Sequence, residues 1–356
     1  MWIENPIFRE DMEQIIHSRF IPWDRLDGKT IFITGATGLI GYYLVSALMY
    51  KMLKTNIRIQ ILVLVRDMDK AMSMFAGQLK QLPGQLEFIL GSLESLPNIS
   101  EQIDYIIHAG GPTISRFFVE KPVETLGSMG IASWRVLELA RRKKCMGMVY
   151  LSSMEVYGRR KSEAPISETE SQVLNALNLR DNYPISKCFV ENACLSFYQE
   201  YKVPVNVVRL SQTIGTIGTK SIPENRKIVE EIIDCILEGR DIILKTKGTS
   251  KRTYIYVSDA VTAILMVLCG DQFGQIYNVA ARNSFCSIWE LAIMATKKYG
   301  SGKSHVVIQE SDTVKYPPAN NWNLSTELLN GVGWCNSVEL QDMIGRTLDL
   351  LLLDRG

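Results

Sequence analysis

The chain has 356 residues, 46% of them hydrophobic, enough for one large domain with a lobe or for two packed domains. Its 39 basic and 38 acidic residues leave a net charge of +1, which removes the electrostatic case for nucleic acid or an anionic membrane as partner. Seven cysteines, odd in number and without a C-x-x-C pair, point to reduced thiols rather than a disulfide framework, and three scattered histidines offer no zinc spacing.

No basic segment followed by an apolar run opens the chain, and the longest apolar stretches, such as AVTAILMVL at 260–268, are too short to cross a bilayer. The expectation is a soluble cytoplasmic protein without a metal. Residues 1–27 read as a helical extension, with Met12, Ile15, Ile16 and Phe20 near one face, packing as an arm on the main domain. From Lys29 the pattern becomes strand, glycine turn and helix in KTIFITGATGLIG. Further apolar strand-like runs fall at 57–65, 86–90, 103–109, 147–153 and 203–211, and helical segments at 40–53, 122–143 and 184–201 separate most of them. This alternation predicts an α/β fold with a doubly wound parallel sheet, whose strands are apolar throughout because both faces are covered.

Beyond Ser211 the alternation loosens. RKIVEEIIDCILEGRDIIL reads as a helix and a short strand, RTYIYVSDAVTAILMVL as a strand and a helix capped by Ser258 or Asp259, and QIYNVA at 275–280 as a strand. The tail from Ser284 is helix-rich. The predicted division is a dinucleotide-binding domain of 28–212 and 250–282, and a smaller, discontinuous substrate lobe of 213–249 and 283–356.

Gly35, Gly38 and Gly41 form T-G-x-x-G-x-x-G between the first strand and the first helix. Glycines permit a tight turn and close backbone approach to a pyrophosphate, and the helix N-terminus offers unpaired N–H groups to the anion. Thr34, Thr37, Leu39 and Ile40 complete this candidate cofactor loop. The second strand ends in VLVRD, where a carboxylate would grip the ribose of NAD; Arg66 holds that place and Asp67 follows, leaving both NAD and the extra phosphate of NADP open.

Tyr183 and Lys187 are one helical turn apart, with Pro184 in the first turn. An ammonium near a phenol favours the phenolate; moving a tyrosine from about 10 to about 7 corresponds to roughly 4 kcal/mol and gives a usable base. A bare Y-x-x-x-K is common on ordinary helices, but here it follows the glycine turn and a strand ending in Ser152-Ser153.

Together with HAGGP after the fourth strand, RLSQTIG after the sixth, KRTYIYVSDA, IYNVA and LSTELLNGVGW, this ordered set resembles the extended short-chain dehydrogenase/reductases that modify nucleotide sugars. The resemblance runs from Lys29 to Leu350. It implies a Rossmann domain with tightly bound NAD or NADP, contacted also by Ser92, Leu93, His108, Ala109, Gly110, Tyr183 and Lys187. It implies that Ser153 bonds the sugar C4 oxygen, that Tyr183 removes its proton as hydride leaves C4, and that Lys187 holds the ribose and tunes Tyr183. Pro112, Gln212 and, with a weaker case, Arg226 would join Ser153 in binding substrate, and Arg252 would pair with the pyrophosphate.

Glu155 answers to chemistry beyond C4. S-x-E-V-Y-G is similar to the UDP-glucuronate decarboxylases and the 4,6-dehydratases, where a carboxylate manages protons next to the C4 ketone. The H-x-x-x-P and later P-x-x-T-L spacing leans to the decarboxylases. Met154, Gln212 and Ser92 depart from the family pattern, which implies a relative with its own substrate. The alternatives are a 4-epimerase, a keto-sugar reductase and a non-catalytic dinucleotide sensor. Family habit adds a role in polysaccharide biosynthesis and a homodimer through helices 122–143 and 184–201, for which Trp134, Leu137, Cys188, Phe189 and Phe197 offer apolar side chains that could equally face the sheet.

Overall fold

In a computed structural model, residues 2–218, 227–310 and 319–353 are described. β1 (Lys29–Thr34), β2 (Ile59–Val65), β3 (Leu86–Leu90), β4 (Tyr105–His108), β5 (Gly147–Ser153), β6 (Val205–Leu210) and the strand Ile276–Val279 form one sheet. Its order is Ile276–Val279, β6, β5, β4, β1, β2, β3, and every neighbouring pair is parallel. Parallel neighbours need long crossovers, and helices supply them on both faces. The alternation of side chains across the pleat divides the core: Ile31 and Ile33 of β1 face one apolar layer while Phe32 faces the other.

The strand order reverses between β1 and β4, so the connections leaving their carboxyl ends diverge and open a crevice. On one face α2 (Leu39–Lys54) and the helix Val257–Leu268 cover the sheet. On the other lie the helices Ala132–Lys143 and Asn182–Tyr201. The segment expected as one helix at 122–143 runs through Pro122–Leu126, a wider turn at Gly127–Ile131, and Ala132–Lys143.

Short strands carry the remaining chain. Lys251–Arg252 lies between Cys286–Ser287 and Asn321–Trp322, and Ile242–Leu244 pairs with Val306–Ile308. The helices Ile228–Glu238, Ile288–Tyr299 and Leu340–Leu353 pack together around them. The helix Val257–Leu268 is not capped by Ser258 or Asp259. It starts earlier, after Tyr256, because the Asp259 carboxylate is taken by the Ser337 and Val338 backbone N–H groups, each at 3.0 Å.

The N-terminal segment folds as α1 (Pro6–Ile16). Asn5 caps it by accepting from Ile7 and Phe8 N–H, and Pro6 sits at the first position, where no N–H is needed. Phe8, Met12, Ile15 and Ile16 are buried against α2 and the helices Val257–Leu268 and Leu340–Leu353; Phe20 lies beyond the helix end. Asp11 is fully buried at this junction. Its carboxylate accepts from Tyr43 at 3.1 Å and Tyr256 at 3.0 Å, and pairs with Arg346 at 2.8 Å. Burial outweighs these partners and raises its pKa from 3.8 to about 6.

Asp11→Ala strands two buried hydroxyls and takes from Arg346 its buried partner, leaving it Glu10 at 3.2 Å, and is expected to cost about 3 kcal/mol in urea unfolding. Because the folded pKa exceeds the unfolded one, the Asp11 contribution is full below about pH 4 and fades as pH rises through about 6. The difference between wild type and Asp11→Asn should shrink over that window.

Candidate active site

The turn after β1 meets the end of β4 at the crevice. Gly35 has φ of 75°, and a Cβ there would lie 2.6 Å from the Ala109 carbonyl oxygen. A Cβ on Gly41 would collide with the Gly35 carbonyl and the Ala36 backbone. Only glycine lets the turn close this tightly. Gly38 precedes α2 without any side-chain cap, and the first helical turn holds no acidic residue, so the N–H groups near Leu39 and Ile40 remain free of side-chain acceptors. Gly110 N–H donates to Thr34 Oγ1 at 3.0 Å, joining the two turns, and Leu93 packs beside Gly110. This cradle of close backbone and open N–H groups fits the pyrophosphate of a dinucleotide.

His108, expected among the cofactor contacts, is fully buried, with Nδ1 at 2.7 Å from Thr34 Oγ1 and Nε2 at 2.8 Å from Ser133 Oγ. Both ring nitrogens are engaged, and burial lowers its pKa to about 3, so a neutral imidazole orders Thr34 from behind. Ser92 Oγ caps its own loop by accepting from Ser95 N–H at 3.1 Å. Thr37 is half-buried in the glycine turn. At the tip of β2, Asp67 accepts from Lys70 N–H at 2.9 Å and caps the helix Met68–Met74, and Arg66 before it is exposed.

β5 ends at Ser153, whose Oγ accepts from Glu155 N–H at 3.2 Å and turns the chain into a 3₁₀ segment, Met154–Tyr157. That turn sends Met154 into an apolar cluster with Val156, Ile166 and Leu324, while Glu155 stays half-buried. The departure at Met154 therefore lies in the core. Tyr183 enters from the helix Asn182–Tyr201 close enough to Ser153 for that hydroxyl to favour its phenolate.

Two partners at this point were not singled out from the sequence. The Phe118 ring stacks on Tyr183, with centroids 4.2 Å apart and planes 10° from parallel. Arg180 pairs with Glu155 at 3.0 Å and lies 5.2 Å from the Phe118 centroid. Phe118 carried no signal beyond an apolar residue in an exposed-looking segment, whereas Arg180, three residues before Tyr183, could have been read as a charge at the start of the candidate helix.

Lys187 does not lower the Tyr183 phenol here as expected. Its ammonium donates to the Leu151 carbonyl at 2.6 Å, and its Nζ is 5.9 Å from the Tyr183 ring centre. Burial raises the Tyr183 pKa well above the usual 10, Glu155 adds to the rise, and Ser153 and Arg180 oppose it. Burial lowers Lys187 to about 7, and Glu191, one turn further on, pulls it back up. Glu191 is itself held by Ser152 at 2.5 Å and by a bidentate Arg209, whose Nη2 is 2.7 Å away.

Leu39, Gln212 and Thr213 line a cavity of 330 Å³ with Thr113 and Ile114 from the loop after β4 and Ile233, Thr347 and Leu351 from the C-terminal helices. Pro112 is half-buried in that loop. Arg252 stands elsewhere, 5.5 Å from the Trp322 ring centre; its Nε is buried without a partner. Arg226 lies outside the described residues.

Residues 31–280 match the NAD dependent epimerase/dehydratase family. The chain belongs to this family. Among its relatives is a dTDP-D-glucose 4,6-dehydratase of Dictyostelium discoideum, 27% identical over 269 residues, covering 72% of this chain and 59% of that protein. The chain therefore spans little more than half of that relative. UDP-glucuronic acid decarboxylase 6 of Arabidopsis thaliana is 26% identical over 262 residues, 74% of this chain and 72% of that one. The fold is that of UDP-glucose 4-epimerase from Thermotoga maritima, with a TM-score of 0.75 at 18% identity over 91% of this chain and 98% of that one. It also matches a dTDP-glucose 4,6-dehydratase from Streptomyces venezuelae with NAD bound, at a TM-score of 0.74, 19% identity, and coverage of 90% and 96%.

For this family member, Gly41→Ala is expected to lower NAD(P) affinity at least tenfold, because the added methyl meets backbone that cannot move aside. Calorimetric titration checks this, with circular dichroism as the control for folding.

Proposed function

We propose that the protein is an NAD(P)-dependent enzyme that transforms a nucleoside-diphosphate sugar through C4 and C5, with loss of carbon dioxide from a uronate as the leading reaction and 4,6-dehydration as the second. The observation that carries this reading is Glu155 beside the Ser153–Tyr183 pair, held by Arg180. A carboxylate there has no task in plain exchange at C4. The relatives named above as decarboxylase and dehydratase support it.

Bound NAD(P) would supply a reversible hydride acceptor, held by Gly35, Gly38 and Gly41 and the N–H groups opening α2. The rest falls to the chain. Ser153 and Tyr183 bond the C4 oxygen, and Tyr183 exchanges its proton as that oxygen becomes a ketone. Its phenol holds the proton tightly in the protein alone, so positive charge must arrive before it serves as a base. Lys187 would bring part of that charge by turning from the Leu151 carbonyl toward Tyr183, whose ring centre is 5.9 Å from its Nζ. With C4 oxidised, the bond to the C5 substituent can break with its electrons drawn toward the ketone, and Glu155 exchanges the proton at C5. Arg252, resting on Trp322 without a carboxylate partner among the described residues, is suited to a diphosphate.

Mass spectrometry of UDP-glucuronate, UDP-glucose and dTDP-glucose incubated with the protein and NAD tests this. Loss of 44 Da from the uronate (the mass of carbon dioxide, about 44 by atomic composition) supports the leading reaction, and loss of water from a glucose supports the second. No change in any sample, with no epimer on separation, sinks the reading. Tyr183→Phe and Glu155→Gln should each reduce turnover by about 10²–10⁴-fold.

The helices at 122–143 and Asn182–Tyr201 support a homodimer as well. Ile131, Trp134 and Phe189 are 64%, 44% and 49% exposed on one face, with the Trp134 and Phe189 rings stacked at 6.3 Å. Leu137 and Phe197, named with them from the sequence as residues for the interface or for the sheet, are buried in the core against the sheet, and Cys188 is half-buried against Val156. Light scattering should show a dimer that Ile131→Asp converts to monomer; a monomeric wild type at micromolar concentration removes the proposal.

A further inference from the structure

Arg180 has more hydrogen-bonding capacity than its partners use. It sits in the turn Leu179–Asp181, and its side chain is 28% exposed, with that of Glu155 at 22%, so the pair beside Tyr183 is open to solvent rather than sealed in the core. One nitrogen, Nη2, donates to Glu155 Oε2. Among the described residues, the other guanidinium N–H groups have no acceptor. An arginine that only tied down the turn would spend those donors on nearby carbonyls; here Asn178 does that work, accepting from the Arg180 N–H and bonding Asp181 through its amide.

Of the neighbouring cations, Lys187 is turned to Leu151 and Arg209 is locked to Glu191, while Arg159 reaches toward Asp181 at 3.6 Å rather than toward Glu155. Arg180 is thus the cation that touches Glu155 and keeps donors to spare, and the Phe118 ring that stacks on Tyr183 also lies near its guanidinium. A guanidinium with open N–H groups beside an aromatic ring is suited to a planar anion.

Charge makes the identity of that anion specific. The C4 hydroxyl of the substrate must reach Tyr183 and Ser153, which brings the substituent on the adjacent carbon toward Glu155. Glu155 alone would repel a carboxylate there, whereas a guanidinium between two carboxylates satisfies both. We propose that Arg180 is the specificity-determining residue for a nucleotide-linked uronic acid, pairing with the substrate carboxylate while it keeps its bond to Glu155. This rests on the reading of the site as one for nucleotide sugars reacting at C4 and C5.

The test compares the affinities of the NAD-loaded protein for UDP-glucuronate and UDP-glucose by calorimetry, in wild type, Arg180→Gln and Arg180→Lys. The wild type is expected to favour the uronate, and Arg180→Gln to cut that preference by about 10- to 100-fold, with Arg180→Lys restoring part of it. KM for UDP-glucuronate should rise more than kcat falls, since a contact made before and during the reaction acts on binding. An equal loss of affinity for both sugars in Arg180→Gln makes Arg180 a structural residue and overturns the inference, while leaving the nucleotide-sugar reading in place. A wild type that binds both sugars with equal affinity overturns the inference likewise. A wild type that binds neither overturns both.

Discussion

The ammonium of Lys187 lies in the protein interior, and much of the site is arranged around that fact. A cation stripped of water is costly, and here it is stabilised by the Leu151 carbonyl and by Glu191 one turn away. Glu191 would be an equally costly buried anion without Arg209, which also reaches Tyr157 and the Glu168 carbonyl. The chain of charges crosses from the helix Asn182–Tyr201 to β6 and to the segment after β5. Moving any one of them leaves another unpaired, so these elements are held in a fixed relation beneath Tyr183.

The crevice depends on a second constraint, one of space. β1 and β4 are neighbours, and the turns leaving them run in opposite directions only if backbone can touch backbone at Gly35, Ala109 and Gly110. Thr34 and His108 bolt the two ends together behind that contact. The dinucleotide cradle and the tyrosine site are thus both fixed to the central sheet, one at the end of β1 and the other at the end of β5.

The N-terminal helix and the C-terminal helix meet over Asp11. The arm touches α2 and the helix Val257–Leu268, while Arg346 brings in Leu340–Leu353, whose Thr347 and Leu351 form part of the cavity wall beside Gln212. The helices Pro6–Ile16 and Leu340–Leu353 therefore brace one wall of that cavity together.

Local signals were legible because they act over a few residues. The apolar runs of β1 to β6, the glycine spacing from Gly35 to Gly41, and the turn that places Tyr183 and Lys187 on one face are properties of backbone sterics and helical period, which the sequence itself determines. The cap at Val257–Leu268 was misread because Asp259 has distant partners, Ser337 and Val338, that outcompete a local role. Which charge meets which was likewise decided only by the tertiary structure. Arg180 meets Glu155, 25 residues earlier in the chain, Phe118 reaches Tyr183 from the segment after the neighbouring strand β4, and Lys187 turns from Tyr183 toward Leu151. Electrostatics in a protein interior depends on distance and burial, and neither is written in the spacing of residues along a chain.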